Sequence, residues 1–107
     1  MTPPYRFAPD ATAAELHERF TELADGTESD TTVTVAGRLL LRRGQGKLVF
    51  ADLRDASGRV QLFAPAKTTP RFDEFADLDL GDWIGVTGVV MRTRTGELSV
   101  RVDEWQL

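Results

Sequence analysis

The chain has 107 residues, 41% of them hydrophobic and 28% charged, with a formal net charge of -4. That is one domain's length and an ordinary globular composition, which excludes disorder as a starting point; no apolar run approaches the roughly 18 residues of a membrane span. Cysteine is absent and histidine occurs once, which excludes disulfides, thiol chemistry and multi-histidine zinc sites. The N-terminus has no apolar stretch after a basic start, so no secretory signal is expected and the cytoplasm is the default location.

Pro3, Pro4 and Pro9 predict an extended or loosely packed start over residues 1 to 10. Thr12-Ala13-Ala14-Glu15 fits a capping box, and Leu16, Phe20 and Leu23 then recur on one helical face. The spacing predicts an amphipathic helix over 13 to 24, stopped at Asp25-Gly26, and a polar linker over 26 to 31. Residues 1 to 31 thus form an N-terminal segment, and residues 32 to 107 a β domain. From Thr32 the period becomes two, with Val33 and Val35 opening a strand that runs on through Leu39 and Leu41. Gly37 marks a bulge or bend where the inward face can switch. After the Gly44-Gln45-Gly46 turn, Lys47 to Leu53 reads as the second strand. Asp55 to Gly58 is a second turn, and Arg59 to Ala64 the third strand, ended by Pro65. A short helix is expected over 71 to 79, with Phe72, Phe75 and Leu78 on one side. Trp83 to Met91 and Glu97 to Trp105 are the last two strands.

Five short strands with a helix between the third and fourth predict a mainly β, five-stranded Greek-key barrel, the OB-fold. An SH3-like barrel does not expect that helix. OB barrels bind oligonucleotides or oligosaccharides on the face of strands two and three. There the aliphatic sets Val49, Ala51, Leu53 and Val60, Leu62, Ala64 are the natural core faces, which leaves Phe50, Arg59 and Gln61 on the outer one. Phe50 offers a stacking surface, Gln61 an amide that both donates and accepts, and Arg43 a guanidinium plane. Leu98, Val100 and Val102 face the core, so Glu97 falls outside, as an acceptor for a base N–H rather than a phosphate contact.

Charge distribution agrees with this face. From Arg38 to Arg59 six basic residues (Arg38, Arg42, Arg43, Lys47, Arg54, Arg59) stand against Asp52 and Asp55, while the remainder is acidic. A local positive field on an acidic body can hold a polyanion; a merely solvated basic hairpin is the plainer alternative. Arg38, Arg42, Lys47 and Arg59 are candidate phosphate or rim contacts. Nothing argues for catalysis or a metal. His17 reads as a surface residue, Gly44 to Lys47 does not match a phosphate loop, and neither Asp52 with Asp55 nor Asp73 with Glu74 has a pairing spacing. Trp83 and Trp105 read as core or barrel-end packing.

Several runs together carry a resemblance: Val35-Ala36-Gly37-Arg38, Arg42-Arg43, Gly46 to Asp55, Gly58 to Phe63, Asp79 to Val86 and Thr95 to Val100. They resemble the N-terminal anticodon-binding domain of class II lysyl-tRNA synthetases over roughly residues 33 to 107, and Pro4-Tyr5-Arg6-Phe7 is similar to that family's approach to the barrel. The arginine, glycine-lysine, phenylalanine and Leu-Arg-Asp elements are shared with aspartyl and asparaginyl enzymes; Thr95-Gly96-Glu97-Leu98-Ser99 points to lysine. The resemblance implies that Phe50 stacks on an anticodon base, that Arg43 packs beside it, that Gln61 reads the central uridine and that Glu97 contacts a further base. The implied partner is tRNA, through its lysine anticodon loop, with no membrane. The family's catalytic domain should follow the barrel, yet the chain stops at Leu107. An excised domain or truncated member is therefore expected, unable to aminoacylate alone and possibly monomeric. No cofactor is expected here; ATP, Mg2+ and the homodimer belong to the catalytic part of the parent. The alternatives are a recruitment module of a lysyl-lipid transferase-type paralogue, an aspartyl-type reader and a generic single-strand binder.

Overall fold

The computed structural model describes residues 9–107. Most of the proline-rich start, with Pro4-Tyr5-Arg6-Phe7, lies outside the described residues. Helix α1 (Ala13–Arg19) precedes strands β1 (Glu28–Gln45), β2 (Leu48–Asp55) and β3 (Gly58–Pro65); helix α2 (Phe72–Ala76) precedes β4 (Trp83–Arg92) and β5 (Leu98–Gln106). The strands close a barrel in the order β1-β2-β3-β5-β4, with β4 returning to β1. All pairs are antiparallel except β3 with β5. This is the expected five-stranded OB-fold, with the helix between the third and fourth strands. Among the described residues no helix is long and apolar enough to cross a membrane.

Alternation builds the interior. Val49, Ala51 and Leu53 of β2, Val60, Leu62 and Ala64 of β3, and Leu98, Val100 and Val102 of β5 are all buried, the sets that period-two reading selects. Leu16 of α1 and Phe75 of α2 join the same core. The capping box forms in both directions, Glu15 N donating to Thr12 Oγ1 (3.2 Å) and Thr12 N to Glu15 Oε1 (3.0 Å).

Helix α2 is shorter than the expected 71 to 79, and three further features differ from expectation. First, α1 ends at Arg19 rather than residue 24. The Arg92 guanidinium donates to the carbonyls of Phe20 (2.9 Å) and Leu23 (2.7 Å), giving the chain end of the helix partners other than its own next turn. Phe20 and Leu23 still pack on the core. Second, the stretch 26 to 31 is not a linker throughout, because Glu28 already pairs with Met91. Third, the β1 bulge lies at Leu40, where the register passes from Leu39 opposite Leu53 to Leu41 opposite Asp52, and not at Gly37. The extra residue reverses the parity of the strand. Val33, Val35 and Leu39 point inward, whereas Leu41 and Arg43 point out.

Gly37 serves close approach instead. A Cβ there would run into the Arg54 carbonyl of the neighbouring strand. Gly37→Ala should therefore destabilise the domain by about 1–3 kcal/mol, the usual cost of overpacking, measured as a lower urea midpoint with an unchanged m-value.

The β2–β3 turn anchors α1. Asp55 accepts from Ala13 N (2.9 Å), Ser57 N (2.8 Å), Ser57 Oγ (2.6 Å) and Gly58 N (3.2 Å). Partial burial alone would push its carboxyl up, but the hydrogen bonds from Ser57, Ala13 and Gly58 outweigh it and hold the group below its ordinary value. A carboxylate with a depressed folded value stabilises the fold at neutral pH, and that contribution fades as pH falls below about 4 and through the folded value. Unfolding curves between about pH 2 and 5 should show this loss in the wild type and a flatter profile in Asp55→Asn.

Candidate nucleic-acid interface

The outer face of the barrel is laid out in rows by strand register. In one row Arg43 of β1 stands opposite Phe50 of β2, which stands opposite Phe63 of β3. In the next, Leu41, Asp52, Gln61 and Ser99 stand side by side across β1, β2, β3 and β5. Rows two residues apart along a strand are separated by roughly 7 Å.

The first row is a stack. The Arg43 guanidinium carbon lies 5.3 Å from the Phe50 ring centroid, and Phe50 meets Phe63 edge to face, with centroids 5.4 Å apart at 61°. Both are favourable ring geometries. Phe50 is half-buried, so part of its ring remains available to another flat group. The second row supplies polar direction. Gln61 is only 8% exposed, and its amide is oriented from both ends: Nε2 donates to Ser99 Oγ (3.0 Å), while Oε1 accepts from Arg43 Nη2 (3.4 Å). Ser99 Oγ in turn donates to the Glu97 carbonyl (3.2 Å). A buried amide held this way presents a fixed donor and acceptor pattern.

Glu97 lies in the β4–β5 turn, one residue before β5. Its amide donates to Thr93 Oγ1 (3.0 Å), and Arg92 Nη1 holds the Gly96 carbonyl (2.9 Å). One guanidinium thus ties this turn to the end of α1. The Glu97 side chain is exposed, and among the described residues it has no ion pair.

Arg43, Phe50, Gln61 and Glu97 meet between two adjoining depressions and line both. The larger, of about 650 Å³, extends past Phe63 toward Met91 and the Thr93–Thr95 turn. The smaller, of about 250 Å³, extends toward Leu41, Asp52 and Arg59. The four residues singled out from the sequence therefore share one cleft.

The four basic rim candidates separate. Arg59 borders the smaller depression and is bonded to Asp52 at 3.4 Å. Arg38 lies further down the face, 5.8 Å from the Trp83 ring and bonded to the Gly81 carbonyl (3.0 Å). Lys47, in the β1–β2 turn, borders a different depression beside Arg71 and Phe72. Arg42 stands opposite the core-facing Ala51; its Nη1 is buried without a hydrogen-bond partner among the described residues. Trp83 corrects the expectation of barrel-end packing: it is 56% exposed. Trp105 fits that expectation, being buried with its indole N–H donated to the Pro70 carbonyl (2.7 Å). His17 is exposed, its Nε2 donating to the Arg59 carbonyl (2.9 Å). Phe63, which lines the larger depression, and the buried Ser99, which holds Gln61, fall within the runs that carry the resemblance, but sequence reading assigns neither a role in the site.

A five-stranded barrel carrying an aromatic, an arginine and an oriented amide on its β2–β3 face is the layout of nucleic-acid-binding OB domains. Residues 33–107 match the tRNA anticodon family, described as an OB-fold nucleic acid binding domain. The chain belongs to this family. Among its relatives are proteins named lysine–tRNA ligase. That of Synechococcus sp. (strain RCC307) is 44% identical over 104 residues, covering 95% of this chain and 21% of the relative. That of Clostridium perfringens (strain 13 / Type A) is 43% identical over 105 residues, covering 96% and 20%. That of Prochlorococcus marinus (strain MIT 9313) is 44% identical over 113 residues, covering 95% and 22%. The chain thus spans about one fifth of the length of the curated relatives it matches. The resemblance to the anticodon-binding domain of lysyl-tRNA synthetases, first carried by short motifs, extends over nearly the whole chain.

Proposed function

We propose that this domain binds the lysine anticodon loop of tRNA and reads it by stacking and base-edge hydrogen bonds. The observation that carries the reading is the pairing of a stack with an oriented reader in one cleft, Arg43 over Phe50 beside the buried Gln61 amide. Anticodon-loop bases can splay out of their stack, and single-stranded RNA is recognised through such unstacked bases. One base stacks on the open part of Phe50 against the Arg43 plane. Gln61, its rotamer fixed by Ser99 and Arg43, offers one free amide hydrogen and its carbonyl oxygen to the central uridine, which carries a complementary N–H and carbonyl. Glu97 accepts from a base N–H at the cleft edge.

In this proposal the parent protein is a cytoplasmic lysine–tRNA ligase, and aminoacylation and dimerisation lie in the parts beyond this chain. Among the described residues no three His, Cys, Asp or Glu side chains gather as a metal ligand set. In the same proposal ATP and Mg2+ serve the aminoacylation step of the parent, outside this domain.

The test is a titration of fluorescently labelled stem-loops at one stated salt concentration, because phosphate contacts make every affinity salt-dependent. The lysine anticodon loop should bind more tightly than an aspartate anticodon loop, and both more tightly than oligo-dT. Equal affinity for all three would reduce the domain to a non-selective single-strand binder.

A further inference from the structure

The register places a third row below the cleft. Trp83 of β4, Arg38 of β1, Arg54 of β2 and Arg59 of β3 are direct cross-strand neighbours. All four side chains are exposed. Like charges directly opposite one another destabilise a sheet, yet here three arginines stand consecutively across three strands. Among the described residues neither Arg38 nor Arg54 has an acidic partner; only Arg59 does, through Asp52. Two further carboxylates adjoin the row: Asp55 is turned onto Ala13, Ser57 and Gly58, and Asp82, which precedes Trp83, accepts from Asp79 N (3.0 Å). A large aromatic closes the row, with Arg38 5.8 Å from the Trp83 ring centroid and its Nη1 held by the Gly81 carbonyl.

We infer that this row is a second RNA contact, distinct from the base-reading cleft: a phosphate seat formed by Arg38, Arg54 and Arg59, with Trp83 as a stacking surface at its end. The inference rests on the nucleic-acid reading of the cleft. Two observations direct it to the same strand. The row is continuous with the cleft, because Arg59 borders the smaller depression with Phe50 and Gln61. It also lies four residues along β2 from Phe50, roughly 13 Å, within reach of the phosphates of nucleotides flanking a base stacked on Phe50. A cationic row in which two of the three arginines lack an acidic partner among the described residues, lined up with a stacking platform, suits a polyanion whose bases are partly unstacked. The ligand chemistry is the RNA phosphodiester backbone, so the row contributes affinity without sequence preference.

The test uses Arg38→Gln, Arg54→Gln and Trp83→Ala in the whole chain, titrated with the lysine anticodon stem-loop and with the same loop carrying a replaced central base, across a salt series. Each arginine variant should weaken both loops by the same factor and flatten the slope of log affinity against log salt by about one. Trp83→Ala should weaken both loops with the slope unchanged. The free Arg54→Gln domain should melt no lower than the wild type, since a like-charge pair is removed. Unchanged affinity and slope in both arginine variants would overturn the phosphate seat while leaving the cleft reading intact. Wild-type protein that does not discriminate the two loops, with arginine variants that still flatten the slope, would overturn base reading and retain the seat. A folded wild type that binds no RNA at low salt overturns both.

Discussion

Phe50→Ala weakens binding of the lysine anticodon stem-loop by about 1–3 kcal/mol, the range for losing one base–aromatic stack, and leaves the domain folded. Anisotropy gives the first result and a circular-dichroism melt the second. The separation follows from where Phe50 sits. Its ring is only half-buried, on the face away from the Val49, Ala51 and Leu53 side chains that fill the barrel. Its ring meets Phe63 edge to face and lies beneath the Arg43 guanidinium. Truncation therefore removes a surface pair worth roughly 0.5–1.5 kcal/mol beyond area burial and opens no cavity in the core. The loss should be similar for any anticodon, because every base has a face to stack. A Phe50→Ala protein that fails to fold would show that the ring belongs to the core.

The second large effect is on selectivity. In Gln61→Ala the preference for a central uridine over a replaced base should collapse toward unity, while affinity for the replaced loop stays within about threefold of wild type. A site built to hydrogen-bond one base edge discriminates because a mismatched base leaves buried polar groups unpaired, at about 1–3 kcal/mol each. Gln61 meets that condition: it is nearly buried and held at both ends by Arg43 and Ser99. Loss of affinity for both loops alike, with the preference retained, would place the reader elsewhere in the cleft.

Much of this site was legible from periodicity, and the remainder depended on long-range register. Simple alternation in β2 and β3 was enough to put Phe50 and Gln61 on one face, because a strand's parity is local. Phe63 shares the parity of Gln61 and could have been taken from the same pattern. Arg43 is different. Its outward direction depends on the bulge at Leu40, and nothing in Leu39-Leu40-Leu41 marks it; glycine is the usual sign of such irregularity, yet Gly37 serves close packing against Arg54. Ser99 became visible as the partner of Gln61 only through the parallel pairing of β3 with β5, a contact between distant strands. The early end of α1 has a similar origin, since the side chain that takes its carbonyls, Arg92, lies at the far end of β4. Trp83 failed the expectation of packing for a simple reason: its side chain lies on the outer face beside Arg38, where an aromatic has no core to enter.

The most direct test of the central claim is a fluorescence-anisotropy titration of the wild-type chain with the lysine anticodon stem-loop, run beside the same loop with only its central uridine replaced, at one salt concentration. A clear preference for the uridine loop, abolished in Gln61→Ala, is the predicted result. Equal binding to the two loops by a folded wild-type protein would contradict it.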